Sequence, residues 1–363
     1  MWILLKPLKF EKTTIYQRGI NKFMLNGIKN IILLLLLLSS AQMAVGQGPS
    51  LSPYDLKESY LEKRAAFKHH GTKAYTADEQ AQLTRIVEIL KENAPKTFEY
   101  HLVQYLHGRH DFSLVSHLME AKRLQPDNPE LIVALFAYYY LSGKEKEAKI
   151  LASRMISVLG ESTIAYYQEV AADPTVDLLI LSNEKDAYPV MALQLLGKLR
   201  ADVRLVNLDF LLNSNYRSDL NADYGMGNTT FLKNEQNYIS RLVQKAGGGV
   251  AISTTVHQAY LSGLGNDLFL TGLTYRYKVS NQFNLLNQFW ERAQVDLANR
   301  SFESRAERKL YRNYLPALLT CYQLHEKGGA TRKAIKKTLV DLTGKIGKKE
   351  EVLGIIKAYD ETE

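Results

Sequence analysis

The sequence predicts a mainly α-helical protein that carries one α/β unit, a small and mostly parallel sheet built on a βαβ crossover, between two helical segments. Three observations predict it. Residues 176–220, "VDLLILSNEKDAYPVMALQLLGKLRADVRLVNLDFLLNSNYRSDL", run from an apolar stretch through a polar loop and an amphipathic helix to a second apolar stretch. Before residue 172 and after residue 281 the apolar residues recur at helical spacing instead. With 363 residues and 46% hydrophobic content, the chain is long enough to bury a core.

In order along the chain, residues 1–46 read as a leader. From Met24, the better start, "MLNGIKNIILLLLLLSSAQMAVGQ" gives a basic start at Lys29, an apolar core over 31–38, and Ala44 and Gly46 at the −3 and −1 positions of a cleavage before Gln47. The expectation is export to a periplasm, with no stable membrane span after cleavage. An uncleaved inner-membrane anchor over 28–45 is the alternative, and Ser39, Ser40 and Gln42 weigh against it. The net charge of +8 is mostly leader: Lys6, Lys9, Lys12, Arg18, Lys22 and Lys29 against Glu11 leave only about +3 for the rest, which with export argues against nucleic acid as a partner. Cys321 is the only cysteine, so no internal disulfide and no cysteine-based metal site can form; its place on the apolar face of "LPALLTCYQLHE" predicts packing.

Residues 47–75 read as a linker with a short helix near 60–67. A helical domain is expected over 76–172. "ADEQAQLTRIVEILKEN" places Leu83, Ile86, Val87 and Leu90 on one face, and "PELIVALFAYYYLSGKEKEAKILASRMISVLG" reads as a helix pair. Leu135, Tyr139, the turn at Gly143 and the small Ala148 resemble a tetratricopeptide repeat, with Phe136 where a small residue is usual. "FEYHLVQYLHGRHDFSLVSHLMEAKRLQPDNP" resembles a second copy, with Gly108 at its turn and Ala121 and Pro126 near its end. Two repeats bury their apolar faces only against neighbours, so further helices or the next domain must cover them.

The α/β domain is expected over 173–280. "DLLILS" and "DVRLVNLDFLL" are its first strands, "PVMALQLLGKLR" and "NEQNYISRLVQKAG" its helices, and "GGVAIST" and "NDLFLTGLTYRYKV" a third and a fourth strand. The glycines 247–249 precede a strand and lack nucleotide-loop spacing, so they predict a helix stop. Residues 281–363 predict further helical hairpins, with the lysines of 327–349 on a solvated face.

Ser182, Asn183, Asp186, Tyr188 and Pro189, the run Arg200, Asp202, Val203, Arg204, then Val206, Asn207, Leu208, Leu211, Leu212, Asn213 and Tyr216, and later Gly272, Leu273, Tyr275 and Arg276 carry a resemblance. They resemble the soluble C-terminal region of a bacterial family of multipass membrane proteins, known as a domain of unknown function and as protein O-mannosyltransferase-like glycosyltransferases. The resemblance covers roughly 177–278, and the helical tail also fits. It departs where the family carries an Asn-Gly-Asp-Asn-Asp run: Glu184 and Lys185 replace Asp and Asn, and the glycine is missing. Met191 replaces an aromatic, and Ser214-Asn215 an Asp-Trp. The multipass part, which in such transferases would hold the lipid-linked donor and the catalytic acid, has no counterpart in this sequence.

The candidate ligand residues are Ser182, Asn183, Asp186 and Asn207, at the ends of the first two strands, where an open α/β sheet offers a crevice. Asp186 with Glu184 could hold a sugar hydroxyl, a metal or a proton, with Lys185 neutralising both; the structural reading is that Asp186 caps the following helix and Pro189 sits near its first turn. Asp209, Thr254, Thr255 and His257 could reach the same edge. Tyr138 and Tyr140 are the candidate interaction surface, since three successive helical tyrosines fan over about 200°. His107, His110 and His117 are close in sequence but predict no metal site, and no cofactor is expected. These readings favour a non-catalytic exported scaffold that binds another protein of the cell envelope. The alternative is a glycan-transfer accessory or related enzyme that binds a sugar at the loop around Asp186.

Overall fold

Strand β1 (Leu178–Leu181) is apolar and buried at all four positions, so both its faces need a cover. Side chains alternate along a strand. Leu179 and Leu181 join one apolar cluster, Leu178 and Ile180 another. Strand β2 (Arg204–Asn207) repeats the division with Leu205 and Val206, and β3 (Val250–Ser253) with Ala251 against Val250 and Ile252. The structure is a computed structural model that describes residues 51–67, 75–227 and 235–362. The leader expected over 1–46 lies outside them. From Pro53 onward the described chain is one compact, mainly helical unit. Among the described residues no helix is long and apolar enough to cross a membrane.

The sheet has the order β2-β1-β3-β5-β4. β1 pairs in parallel with β2 and with β3, Leu178 facing Arg204 on one side and Val250 on the other. The other half is antiparallel. β4 (Leu268–Leu270) and β5 (Thr274–Tyr277) form a hairpin whose second strand pairs with β3, so the single strand expected from "NDLFLTGLTYRYKV" is two and the sheet is mixed. Gly272 makes the break: its φ is +146°, and a Cβ there would stand 2.8 Å from Phe289 Cδ2.

The crossovers lie on opposite faces. Helix α8 (Glu184–Leu195), between β1 and β2, buries Ala187, Tyr188 and Met191 in the first cluster. After β2 come α9 (Ser214–Asp223) and α10 (Glu235–Ala246), the latter burying Tyr238, Ile239, Leu242 and Val243 in the second. The strand order therefore reverses between β1 and β3, and their carboxyl ends define the crevice.

The first cluster is completed by helices from both ends of the chain. Helices α3 (Phe98–His107) and α4 (Val115–Leu124) form one hairpin, α5 (Pro129–Leu141) and α6 (Glu145–Ser157) a second, and α7 (Glu161–Val170) leads into the sheet. Gly143 turns the second hairpin at φ +67°, and Ala148 is 1% exposed. In the first hairpin the turn belongs to Arg109 (φ 51°) and His110 (φ 69°), whereas Gly108 gives room to Leu114, whose Cδ1 a Cβ would approach to 2.3 Å. The tail adds α11 (Gln282–Ala298), α12 (Arg305–Tyr311), α13 (Tyr314–Leu324), α14 (Ala330–Ile346) and α15 (Lys349–Thr362). Phe289, Tyr314 and Cys321 enter the same cluster, and burial pushes the Cys321 thiol up to about 12.

The stretch read as a linker contains a longer helix than expected. Helix α1 (Pro53–Phe67) buries Leu56 and Tyr60 in a third cluster with Leu83, Ile86, Val87 and Leu90 of α2 (Ala77–Asn93). Its Lys57 is buried too, paired with Glu58 at 2.7 Å and Glu130 at 3.5 Å. Two apolar contacts set among charges leave no legible period, which is why the sequence hides this helix.

At the amino-terminal edge of the sheet, Arg276 of β5 is 3% exposed. Its guanidinium donates to the carbonyls of Val250 (3.2 Å), Gly248 (3.1 Å) and Thr175 (3.3 Å), to Thr175 Oγ1 (2.8 Å), and to the Asp173 carboxylate. One side chain thus joins β5, the entry to β3 and the entry to β1. Burial raises the Asp173 carboxyl, but the Thr175 hydrogen bonds and the Arg276 charge bring it below its ordinary value.

Pro189 lies inside α8, not at its first turn. It has no N–H to give the Lys185 carbonyl four residues back. The Tyr167 hydroxyl of α7 donates there instead, at 2.5 Å. Tyr167→Phe should lower stability by about 1 kcal/mol. In a Pro189→Ala background, where the helix supplies its own N–H, the cost should shrink; denaturant melts of the four proteins check this, and an equal cost in both backgrounds would refute the arrangement.

Candidate functional site

The crevice starts where β1 ends. Asn183, extended at φ −152°, caps α8 by accepting the Lys185 N–H at 3.0 Å, and its Nδ2 donates to Ser182 Oγ at 2.9 Å. The expected cap, Asp186, has a different task. Placed at the third helical position, it turns back and accepts the Ser182 N–H at 3.1 Å, Thr255 Oγ1–H at 2.6 Å and Ser253 Oγ–H at 3.4 Å. The hydroxyls continue the chain: Thr255 Oγ1 lies 2.9 Å from Ser253 Oγ and 3.3 Å from Ser182 Oγ. Asp186 is 5% exposed, and burial holds its carboxyl above the ordinary value although the Thr255, Ser182 and Ser253 hydrogen bonds oppose this.

Asn207 does not join this group through any hydrogen bond. It is fully buried at the end of β2, opposite Leu181, and its Oδ1 accepts the Asp209 N–H at 3.0 Å, opening the 3-10 turn Leu208–Leu212. That contact fixes the amide orientation and leaves Nδ2 enclosed without a partner among the described residues. Thr254 gives its N–H to the Leu273 carbonyl. His257 is exposed and caps the turn Gln258–Tyr260 through Nδ1, away from the Asp186 group.

Glu184 is neutralised, but not by Lys185, which is exposed. Arg64 of α1 pairs with it at 3.2 Å. Burial works against the Arg64 charge, yet Glu184, Tyr60 and Tyr75 hold its pKa above the ordinary value. No local signal could have paired residues 120 positions apart. Thr255 was legible as a strand-end hydroxyl; Arg64, Ser253 and Tyr167 were not.

Tyr138 and Tyr140 are half-buried. Tyr138 packs on Phe112 and Tyr139, with ring centroids 5.3 Å away in each case. Tyr140 meets Phe136 and Phe210, both at 6.0 Å, so it faces the α/β unit. Phe210 is the hub, in contact with His110 (5.2 Å), Tyr188 (5.5 Å) and Tyr216 (5.6 Å). The three histidines diverge. His107 bonds Gln80 (3.1 Å), Thr84 (3.2 Å) and Tyr60 (3.4 Å), His110 meets Phe210 edge to face, and His117 Nδ1 meets His101 Nδ1 at 2.9 Å. Among the described residues no group of three His, Cys, Asp or Glu is placed to hold a metal ion.

Compared with known proteins, the chain matches no family model, no curated protein and no solved structure.

The chemistry of the crevice therefore rests on its own geometry. Asp186 is an acceptor whose donors all come from the protein, and it clamps the ends of β1 and β3. Asp186→Asn should cost about 1–3 kcal/mol, because the larger amide must refit a buried hydrogen-bond group shared by Ser182, Ser253 and Thr255. The pH dependence has a sign. The folded-state pKa is raised, so the folded chain keeps this proton where the unfolded chain, near the ordinary 3.8, has lost it. Wild type should therefore hold its largest margin over Asp186→Asn below the unfolded-state value, and the margin should narrow as pH rises through the folded-state value. Melts of both proteins from about pH 3.5 to 7 test this; a margin that grows with pH would contradict it.

Proposed function

We propose that this protein is a non-catalytic, exported scaffold of the cell envelope that binds another envelope protein. The observation that carries the reading is the burial of Asp186, 5% exposed and engaged by Ser182, Ser253 and Thr255, which commits the crevice's acid to holding two strands together. A general acid or base needs a proton path to a substrate, and a sugar-binding carboxylate needs to be open to the sugar. The helical hairpins supply the surface for a partner. Ile150, 57% exposed on α6, and Val158, 81% exposed just after it, are apolar side chains left in water there.

The glycan reading keeps one observation in its favour: Ser182, Asn183 and Thr255 are half-buried at the carboxyl ends of parallel strands, where open α/β sheets take ligands. Photo-crosslinkers placed at positions 150 and 158 should capture one envelope protein, and the same probe at Lys349 should not. Failure at both positions, or turnover of a glycosyl donor that is lost with Asp186→Ala while the fold is kept, would replace the scaffold by the glycan reading.

A further inference from the structure

Helices α3 and α4 are joined by a contact between two titratable rings. His101 of α3 and His117 of α4 bring their Nδ1 atoms to 2.9 Å, with ring centroids 5.1 Å apart and planes inclined at 40°. Tyr100, buried in the third cluster, packs on both rings, with its centroid 5.2 Å from His101 and, edge to face, 5.5 Å from His117. Neither Nδ1 has another hydrogen-bond partner among the described residues. Both rings are half-buried, so protons from solvent reach them.

A contact between two Nδ1 atoms has room for one proton. With both rings neutral, one is the Nδ1–H tautomer and donates to the bare Nδ1 of the other. A proton added at Nε2 of the donor ring leaves the contact in place and makes its hydrogen bond charge-assisted. The next proton must go to the accepting Nδ1. It would set two N–H groups against each other across 2.9 Å and two like charges on adjacent rings, a state in which the contact cannot persist.

The surroundings do not offset that state. Among the described residues the charged groups that act on the rings are Glu120 and Arg123, both of α4; α1, α2 and α5, the other helices packed on this hairpin, bring none to them. Glu120 is already committed: Arg123 forks onto its carboxylate, with Nε 3.1 and 3.0 Å from the two oxygens and Nη2 at 2.7 Å. Burial holds His101 below its ordinary value, with His117 and Arg123 adding to the effect and Glu120 opposing it, and burial also lowers His117. The joint between the two helices carries strain as well. Its turn places Arg109 and His110, neither a glycine, in the left-handed region, which the packing of the helices must hold. We propose that the His101–His117 pair is an acid-operated latch on the α3–α4 hairpin, closed while it carries at most one charge and opened by the second proton. The latch is independent of the crevice at Asp186 and of the scaffold reading.

Because the folded-state values lie below the unfolded 6.5, the folded chain excludes protons that the unfolded chain takes up. The pair's contribution is therefore complete above the unfolded value and is lost as pH falls through the folded-state values. NMR titration of the full chain with ring-labelled histidine should show the pair titrating in two separate steps, the lower one beneath the ordinary value. In His117→Asn an amide oxygen can accept from a charged His101, so His101 should titrate in one step at higher pH than the lower wild-type step. The His101→Asn/His117→Asn variant keeps two polar groups there and takes up no proton. Between about pH 6.5 and 5 the folding constant of wild type should fall severalfold to about tenfold more than that of the double variant, since each excluded proton costs a factor of about ten per pH unit. His107, also lowered by burial, titrates in both proteins and cancels. Amide exchange, corrected for its intrinsic pH dependence, should show α3 and α4 losing protection in acid before β1 does. Independent titration of the two rings near the ordinary value, an equal acid loss in wild type and double variant, or protection lost together in α4 and β1 would overturn the latch.

Discussion

A strand with two apolar faces imposes the whole arrangement. Leu178 and Ile180 cannot be hidden by anything that hides Leu179 and Leu181, so β1 demands two covers on opposite sides of the sheet. One cover is local: α10, reached through the crossover after β2. The other combines the crossover helix α8 with distant parts of the chain, the helical hairpins that precede the sheet and the helices that follow it. This shared cluster makes one compact unit out of segments that look separable in sequence. The hairpins could not bury their own apolar sides alone, and the sheet could not bury its face alone.

Two polar devices hold the covered sheet in register, one at each edge. At the amino-terminal edge the buried guanidinium of Arg276 gathers carbonyls from Val250, Gly248 and Thr175 and balances its charge on Asp173. At the carboxyl edge the buried carboxylate of Asp186 gathers donors from Ser182, Ser253 and Thr255. Each is a single ionisable group that spends its hydrogen-bonding capacity between adjacent strands, so removing either leaves several orphaned partners in place of one lost contact. The crevice of an open α/β sheet is the place where function is expected, and here its central acid holds the frame.

The same logic explains the break in helix α8. Pro189 frees the Lys185 carbonyl, and Tyr167 of the preceding helix fills the gap. Glu184 and Lys185, the first two residues of α8, sit at the junction where α1, α7 and α8 meet, with Arg64 reaching Glu184 from α1. The aromatic hub around Phe210 then fastens the hairpins to the end of β2 through Tyr140 and His110, and α8 through Tyr188. Tyrosines that a helical wheel places on an outer arc are recruited by a neighbouring element, which a wheel cannot represent.

Local pattern was enough for the elements whose burial is periodic. The change from helical spacing to the continuous run at 178–181, the crossover, the glycine stop at 247–249, the packed Cys321 and the hairpin turn at Gly143 all follow from residues close in sequence, because the forces that shape them act over one turn or one strand. The helix at Pro53–Phe67, the hairpin of β4 and β5, the reassignment of the cap from Asp186 to Asn183 and the separation of Asn207 from the other three candidates were not legible. They depend on partners far along the chain: Glu130 for Lys57, Phe289 for Gly272, Ser253 and Thr255 for Asp186. Sequence by itself determined which segments must be helix or strand and which faces must be buried, since periodicity encodes the solvent boundary. Only the tertiary structure decided what each polar side chain does there, because a buried donor or acceptor is defined by the group that satisfies it, and that group is set by the packing of the whole.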